Sequence, residues 1–259
     1  MCRHLAYLGP AITLRSVIIE PARGLYRQGW APRLQRHGTV NADGFGVGWY
    51  CDGDPEAARY RRAEPIWADE SFADVARVTR SGAMLAAVRC ATAGTELGPA
   101  AVAPFRSGRW LFSHNGVIDG WPGSVEGLAA TLPAGTLLGL ESRTDSALLW
   151  ALVLHRLRQG LPPGDALAEV ISVLNGTGVT GRFNLLLTDG QVIAATAAGD
   201  TLYYRRRGEA VVVASEPGDD EPDWVKVPDG SLVTAVPGHV DVDLISAPIA
   251  NPDGRIAIR

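Results

Sequence analysis

Residues 2–9 read Cys2-Arg3-His4-Leu5-Ala6-Tyr7-Leu8-Gly9, and residues 109–116 read Arg109-Trp110-Leu111-Phe112-Ser113-His114-Asn115-Gly116. The first run is a short apolar strand that begins almost at the start of the chain. The second is a strand that ends at Asn115-Gly116, where a residue without a Cβ lets the backbone turn sharply. A thiol heads one strand, and a side-chain amide beside a free backbone N–H closes the other.

Outward from these two runs, the chain alternates strands with a central helical pair. Residues 14–19 read as a short helix, and residues 20–44 as a long loop rich in Arg, Gln, Gly and Pro. A loop of that length in a compact domain is more often functional than not. Residues 45–51 and 58–63 form a hairpin across Asp52-Gly53. A helix over 69–80 and a buried strand over 82–89 follow. The clearest helix covers 143–158. Ser142 or Thr144 can cap it, Asp145 suits its first turn, and Ala147 to Leu154 are apolar nearly all round, so it is expected to be buried. Pro162 and Pro163 stop it, and a second helix runs from about 165 to 174. Strands are expected at 182–188, 191–197, 201–206, 209–214, 231–236 and 240–246, with hairpin turns at Asp189-Gly190 and Arg207-Gly208. The acidic stretch 216–223 reads as an exposed loop. Strand pairs on either side of two helices suit an α+β fold of two packed antiparallel sheets with helices outside.

Composition narrows the function. Hydrophobic residues make up 46% of the chain and charged residues 20%, enough to bury a full core. A net charge of −4 and a pI of about 5.7 argue against nucleic-acid binding through a basic face. Arg205-Arg206-Arg207 reads as a solvated hairpin edge. Three cysteines, Cys2, Cys51 and Cys90, form neither a disulfide framework nor a zinc pattern, so a reducing cytoplasm is expected, with no metal and no cofactor. There is no 18-residue apolar run and no signal-peptide pattern, so no membrane contact is expected. Gly44-Phe45-Gly46-Val47-Gly48 lacks dinucleotide-loop spacing and leads into a strand, which rejects that reading.

Four groups carry chemistry. If Met1 is removed, the Cys2 α-amine lies beside its own thiol. Such an amine titrates near 8, so one residue can supply nucleophile and base. Asn115 and Gly116 can aim a side-chain amide and a backbone N–H at one oxyanion, or they can be an ordinary Asn-Gly turn. Arg89 ends an apolar strand, where a cation needs an anion: a substrate carboxylate or a structural partner. Asp145 can receive an α-ammonium group or cap a helix. Taken together, Arg89 and Asp145 would grip a free amino acid while Cys2, Asn115 and Gly116 meet an amide at the end of its side chain. That shape is a γ-glutamyl group.

These signatures, in this order, resemble the class II glutamine amidotransferase family over about residues 2–215. The resemblance implies an N-terminal-nucleophile αββα sandwich. Cys2 takes the place of the nucleophile, and Asn115 and Gly116 that of the oxyanion pair. Arg89 with Thr92 matches the glutamate-carboxylate motif, and Asp145 the α-ammonium ligand. Ala93 stands where some members carry a histidine, and no synthase domain follows, so a synthase would have to be a separate partner. The loop Trp30 to Tyr50, with Ser113 to Gly116, is similar to that of the stand-alone hydrolases of ergothioneine biosynthesis. This implies hydrolysis of γ-glutamyl-hercynylcysteine sulfoxide to hercynylcysteine sulfoxide plus glutamate. The trimethylammonium group of that product suits aromatic faces, for which Tyr26, Trp30 and Trp121 are candidates. Arg27, Arg33 and Arg36 could meet its carboxylate or sulfoxide oxygen, or be solvated loop charges. His37 and His114 read as structural. A glutaminase subunit, a hydrolase of glutathione-like peptides and a non-catalytic γ-glutamyl-binding module are the competing readings. Residues 2–259 are read as one domain, with a small-molecule substrate as its partner.

Overall fold

The structure is a computed structural model and describes residues 2–92 and 94–245. In chain order the elements are β1 (Arg3–Thr13), α1 (Leu14–Ile18), α2 (Leu25–Gln28), β2 (Phe45–Trp49), β3 (Ala58–Arg62), α3 (Glu70–Val78) and β4 (Arg80–Val88). Then come β5 (Phe105–Ser107), β6 (Trp110–Ile118), α4 (Glu126–Ala129), α5 (Ala134–Leu138), α6 (Asp145–Arg158) and α7 (Pro163–Gly176). The rest is β7 (Gly181–Thr188), β8 (Ile193–Ala197), β9 (Tyr203–Arg207), β10 (Ala210–Ala214), β11 (Val225–Lys226), β12 (Ser231–Val236) and β13 (His239–Leu244). One sheet has the order β11-β9-β10-β1-β4-β2-β3, and the other β13-β12-β8-β7-β6-β5.

β1 is central to the first sheet, and both its faces are buried. Ala6 and Leu8 point between the sheets into a cluster with Leu85, Leu111, Leu186 and Val213. Leu5 and Tyr7, one residue out of phase, pack the opposite way against Leu14, Ile18, Phe45 and Phe72 under α1 and α3. This is the period-two alternation of a strand buried on both sides. On the second sheet α6 buries Ala147 through Val153, and Trp150 stacks on Phe112 of β6 at 5.2 Å. Thr144, not Ser142, caps this helix by accepting the Ala147 N–H at 3.2 Å, a contact worth about 1 kcal/mol. The layers are therefore helix, sheet, sheet, helix. No described helix is long and apolar enough to cross a membrane.

The glycines of 44–48 have a packing reason. A Cβ on Gly46 would lie 2.3 Å from the Ala103 carbonyl oxygen, and one on Gly48 2.6 Å from Leu111. Only bare backbone lets the sheets come this close.

Several expectations need correction. Asn115 and Gly116 do not end a strand or make a turn. β6 continues to Ile118, with Asn115 opposite Asn184 and Gly116 opposite Phe183. The 20–44 loop contains α2, and β5, α4 and α5 were not expected. The acidic stretch 216–223 is a set of counter-ions, not a plain solvent-facing loop. Glu216 is buried, Asp219 takes two bonds from Arg205, Asp220 pairs with Arg23 and Arg33, and Asp223 pairs with Arg207. Arg205 and Arg207 are thus paired and not free. The strand expected at 240–246 is β13, with Ser246 outside the described residues, as is Ala93.

Candidate active site

Cys2 stands immediately before β1. Arg3 faces Val88 across the ladder, which sets Cys2 beside Arg89, the residue after β4. The opposing sheet is brought to the same end by His4, whose Nδ1 meets Ser113 Oγ at 3.1 Å between the layers. Direction follows from the core. Leu8 and Leu111 share one cluster. From there toward Cys2, numbering falls in β1 and rises in β6, through the His4–Ser113 contact. Side chains two residues on lie on the same faces, so Cys2 and Asn115 both lie at this end of the gap between the sheets.

Asn115 is fully buried, and neither its Nδ2 nor its Oδ1 has a hydrogen-bond partner among the described residues. Leaving such a group unsatisfied costs about 1–3 kcal/mol. Gly116 follows where no side chain fits: a Cβ would stand 1.8 Å from the Arg182 carbonyl oxygen and 2.5 Å from His114 Nε2. Its glycine is required by close approach, not by a turn. Burial pushes the Cys2 thiol above its ordinary pKa, while the Cys90 backbone N–H and the Arg89 guanidinium pull it down. A thiol in that position needs a local base.

Arg89 is buried and held from one side only. Its Nη2 donates to the Glu96 carbonyl at 2.9 Å and to Thr95 Oγ1 at 3.4 Å, while Nη1 is buried without a partner. Asp43 braces this corner: its N–H donates to the Arg89 carbonyl at 2.9 Å, and its Oδ2 accepts the Ala91 N–H at 2.7 Å. The Glu96 carboxylate accepts the Arg143 N–H at 2.6 Å, so one residue ties the Arg89 corner to the start of α6. There Asp145 is buried, with Oδ2 accepting the Ile118 N–H at 3.1 Å and Oδ1 the Ser146 N–H at 2.7 Å. It joins α6 to the end of β6 and keeps lone pairs for a further donor. His114 steadies the same corner. Its Nε2 donates to the Arg182 carbonyl at 2.9 Å, and its Nδ1 meets Ser146 Oγ at 3.0 Å. Thr92 is exposed; its carbonyl accepts the N–H and hydroxyl of Thr95, closing the turn that presents Glu96.

Cys2, Arg89, Asn115, Gly116 and Asp145 thus lie toward the same end of the sandwich, linked through the β1–β4 ladder, Glu96 and the start of α6. Tyr26 and Trp30 form a separate aromatic group with Trp67, at centroid distances of 5.2 and 5.6 Å. Arg27 lies 5.1 Å over the Trp30 ring, so that face already carries a cation. The group meets the site region through backbone, where the Asn41 N–H donates to Gly29. Trp121 packs against the core under α6.

Sequence reasoning missed three supports. The His4–Ser113 link was visible only as a two-residue spacing from Cys2 and from Asn115. Arg3 is fully buried 4.0 Å from Glu216, whose other oxygen accepts the N–H groups of Arg33 and Leu34 and so fixes the 30–44 loop. Asn184, opposite Asn115, binds the Asp200 and Thr201 carbonyls, and no local pattern marks it.

Residues 24–210 match the family model of the class II glutamine amidotransferases. The chain belongs to that family. A γ-glutamyl-hercynylcysteine sulfoxide hydrolase from Mycolicibacterium smegmatis is 43% identical over 242 residues, covering 93% of this chain and 99% of that protein. Among solved structures, a glutamine aminotransferase class-II domain protein from Silicibacter pomeroyi superposes with a TM-score of 0.69 at 27% identity, over 95% of this chain and all of that one. The glutamine phosphoribosylpyrophosphate amidotransferase of Bacillus subtilis shares the fold at 17% identity and a TM-score of 0.67, over 95% of this chain and 49% of that one. The sandwich is that of the N-terminal-nucleophile amidotransferases.

Proposed function

We propose that this chain hydrolyses a γ-glutamyl amide through a Cys2 thioester, and that its substrate is γ-glutamyl-hercynylcysteine sulfoxide. The observation that carries the chemistry is the Asn115 amide, buried without a partner at the Cys2 end of the sheets. A carbonyl oxygen becoming an oxyanion satisfies it, together with the Gly116 N–H. Arg89 Nη1 takes the glutamyl carboxylate and Asp145 the α-ammonium, with Thr92 helping to shape the Arg89 turn. After Met1 is removed, the Cys2 α-amine accepts the thiol proton as sulfur attacks the carbonyl carbon of the γ-amide. The C–N bond breaks, and the departing amine takes that proton. Water then loses a proton to the same amine, attacks the thioester and releases glutamate and the free thiol. The substrate reading is supported by the 43% identity to hydrolases bearing that name. Tyr26 and Trp30, the latter already covered by Arg27, are proposed to line the entry to the site without holding the leaving group's cation. We also read residues 2–259 as one domain acting in a reducing cytoplasm, in keeping with three cysteines, Cys2, Cys51 and Cys90, that form no disulfide among the described residues.

The test compares kcat/KM for the sulfoxide with that for free glutamine. Preference for the sulfoxide is expected. Preference for glutamine would instead make the chain an ammonia supplier for a separate synthase.

A further inference from the structure

Beside the site lies a cleft of about 340 Å³ whose lining includes Arg36, Asp200, Thr201, Lys226 and Asp229. Its floor is stitched to both halves of the site. Thr201 Oγ1 donates to the Ser215 carbonyl at 2.7 Å, and Ser215 Oγ accepts the His4 N–H at 3.0 Å, on the strand that follows the nucleophile. Asn184, opposite Asn115, donates to the Asp200 carbonyl at 3.0 Å. The topology gives the cleft its side. The start of β1 lies between β4, which Arg89 follows, and β10, β9 and β11, whose ends at this edge lie at Ser215, Thr201 and Lys226. The glutamyl-binding residues are on the β4 flank of Cys2 and the cleft is on the other.

A γ-glutamyl amide lying across Cys2 with its glutamyl end at Arg89 must send its leaving group toward this second flank. The charges there are of both signs. Arg36 and Lys226 are exposed, and among the described residues neither has a carboxylate partner. Asp200 is buried with only Oδ2 on Arg182, at 3.2 Å, and Asp229 spends one oxygen on the Gly199 N–H. We propose that this cleft is the leaving-group subsite and is built for a zwitterionic, amino-acid-derived amine: Arg36 and Lys226 hold its carboxylate, and Asp200 faces its cation. The assignment rests on the function proposed above and adds to it the residues that select the substrate.

The test measures kcat/KM for γ-glutamyl-hercynylcysteine sulfoxide and for γ-glutamyl-p-nitroanilide, whose leaving group has no zwitterion. Both are assayed with the wild-type chain and with the Arg36→Gln/Lys226→Gln double variant. Both substituted positions are exposed, so the variant is expected to fold. The ratio of the two values should fall about tenfold or more in the variant, through KM for the sulfoxide, as loss of charge-assisted contacts predicts. An unchanged ratio, whether both substrates hold or both decline together, would overturn the subsite. A wild-type chain inert toward both amides would overturn the proposed function and the subsite with it. A change in the ratio alone bears on the subsite.

Discussion

At the Cys2 end of the sandwich, Arg3, His4, Asn41, Arg89, Asn115 and Glu216 all carry buried atoms without a hydrogen-bond partner among the described residues. At the far end of the same strands, polar groups are saturated. Ser81 Oγ accepts the Tyr50 and Ala83 N–H groups and has both of their carbonyls within reach of its one proton, and the Tyr50 hydroxyl reaches the Arg109 and Thr188 carbonyls at 2.8 and 3.0 Å. The sheets are the same and the burial is similar, so the contrast is one of purpose. Folds satisfy buried polar groups unless something outside the chain will do so. The unsatisfied end is where a ligand belongs.

The largest break in that contrast comes from Cys2→Ala, which should lower turnover at least about 10⁴-fold while substrate still binds by calorimetry. Substantial residual turnover would remove Cys2 from the chemistry. Asn115→Ala should lower kcat about 10²- to 10³-fold. Its melting temperature should not drop, because an orphaned amide is being removed. A large loss of stability with kcat intact would make Asn115 structural. Arg89→Gln should cost about 10- to 100-fold in kcat/KM, the loss of one charge-assisted contact to a carboxylate. The smallest effect lies at the far end: Tyr50→Phe should cost about 1 kcal/mol of stability and leave kcat as it was.

A pH experiment sharpens the same comparison. Burial, with smaller help from nearby His114 and Arg3, holds the His4 imidazole down to about 3, from an ordinary 6.5. Between those values the unfolded chain binds a proton that the folded chain refuses. Stability from this source is therefore intact above about pH 6.5 and is lost as pH falls toward 3. His4→Gln should flatten that slope between pH 7.5 and 5 in denaturant titrations. Parallel slopes in the two proteins would contradict the burial account.

Much of this was legible in the sequence where local pattern and tertiary role agree. α6 is apolar nearly all round because it is buried all round, and the Cys2, Arg89 and Asp145 positions sit at element ends that short-range signals mark. Asn115-Gly116 misleads because Asn-Gly is a turn signal locally, whereas pairing with β7 overrides it and steric contact with Arg182 demands the glycine. Glu216 could not be distinguished from its acidic neighbours, since only the long-range approach of Arg3 and of the 33–34 backbone singles it out. His4, Ser113 and Asn184 act across sheets, and no spacing along the chain encodes that.

One labelling measurement bears directly on the claim that Cys2 is a free N-terminal nucleophile. The protein is treated with a glutamine-mimicking electrophile and the modified peptide is sequenced by mass spectrometry. A single adduct on a peptide that begins at Cys2, with Met1 gone and activity lost in step, is the expected result. An adduct on Cys51 or Cys90, no adduct at all, or Met1 retained in fully active protein would contradict it.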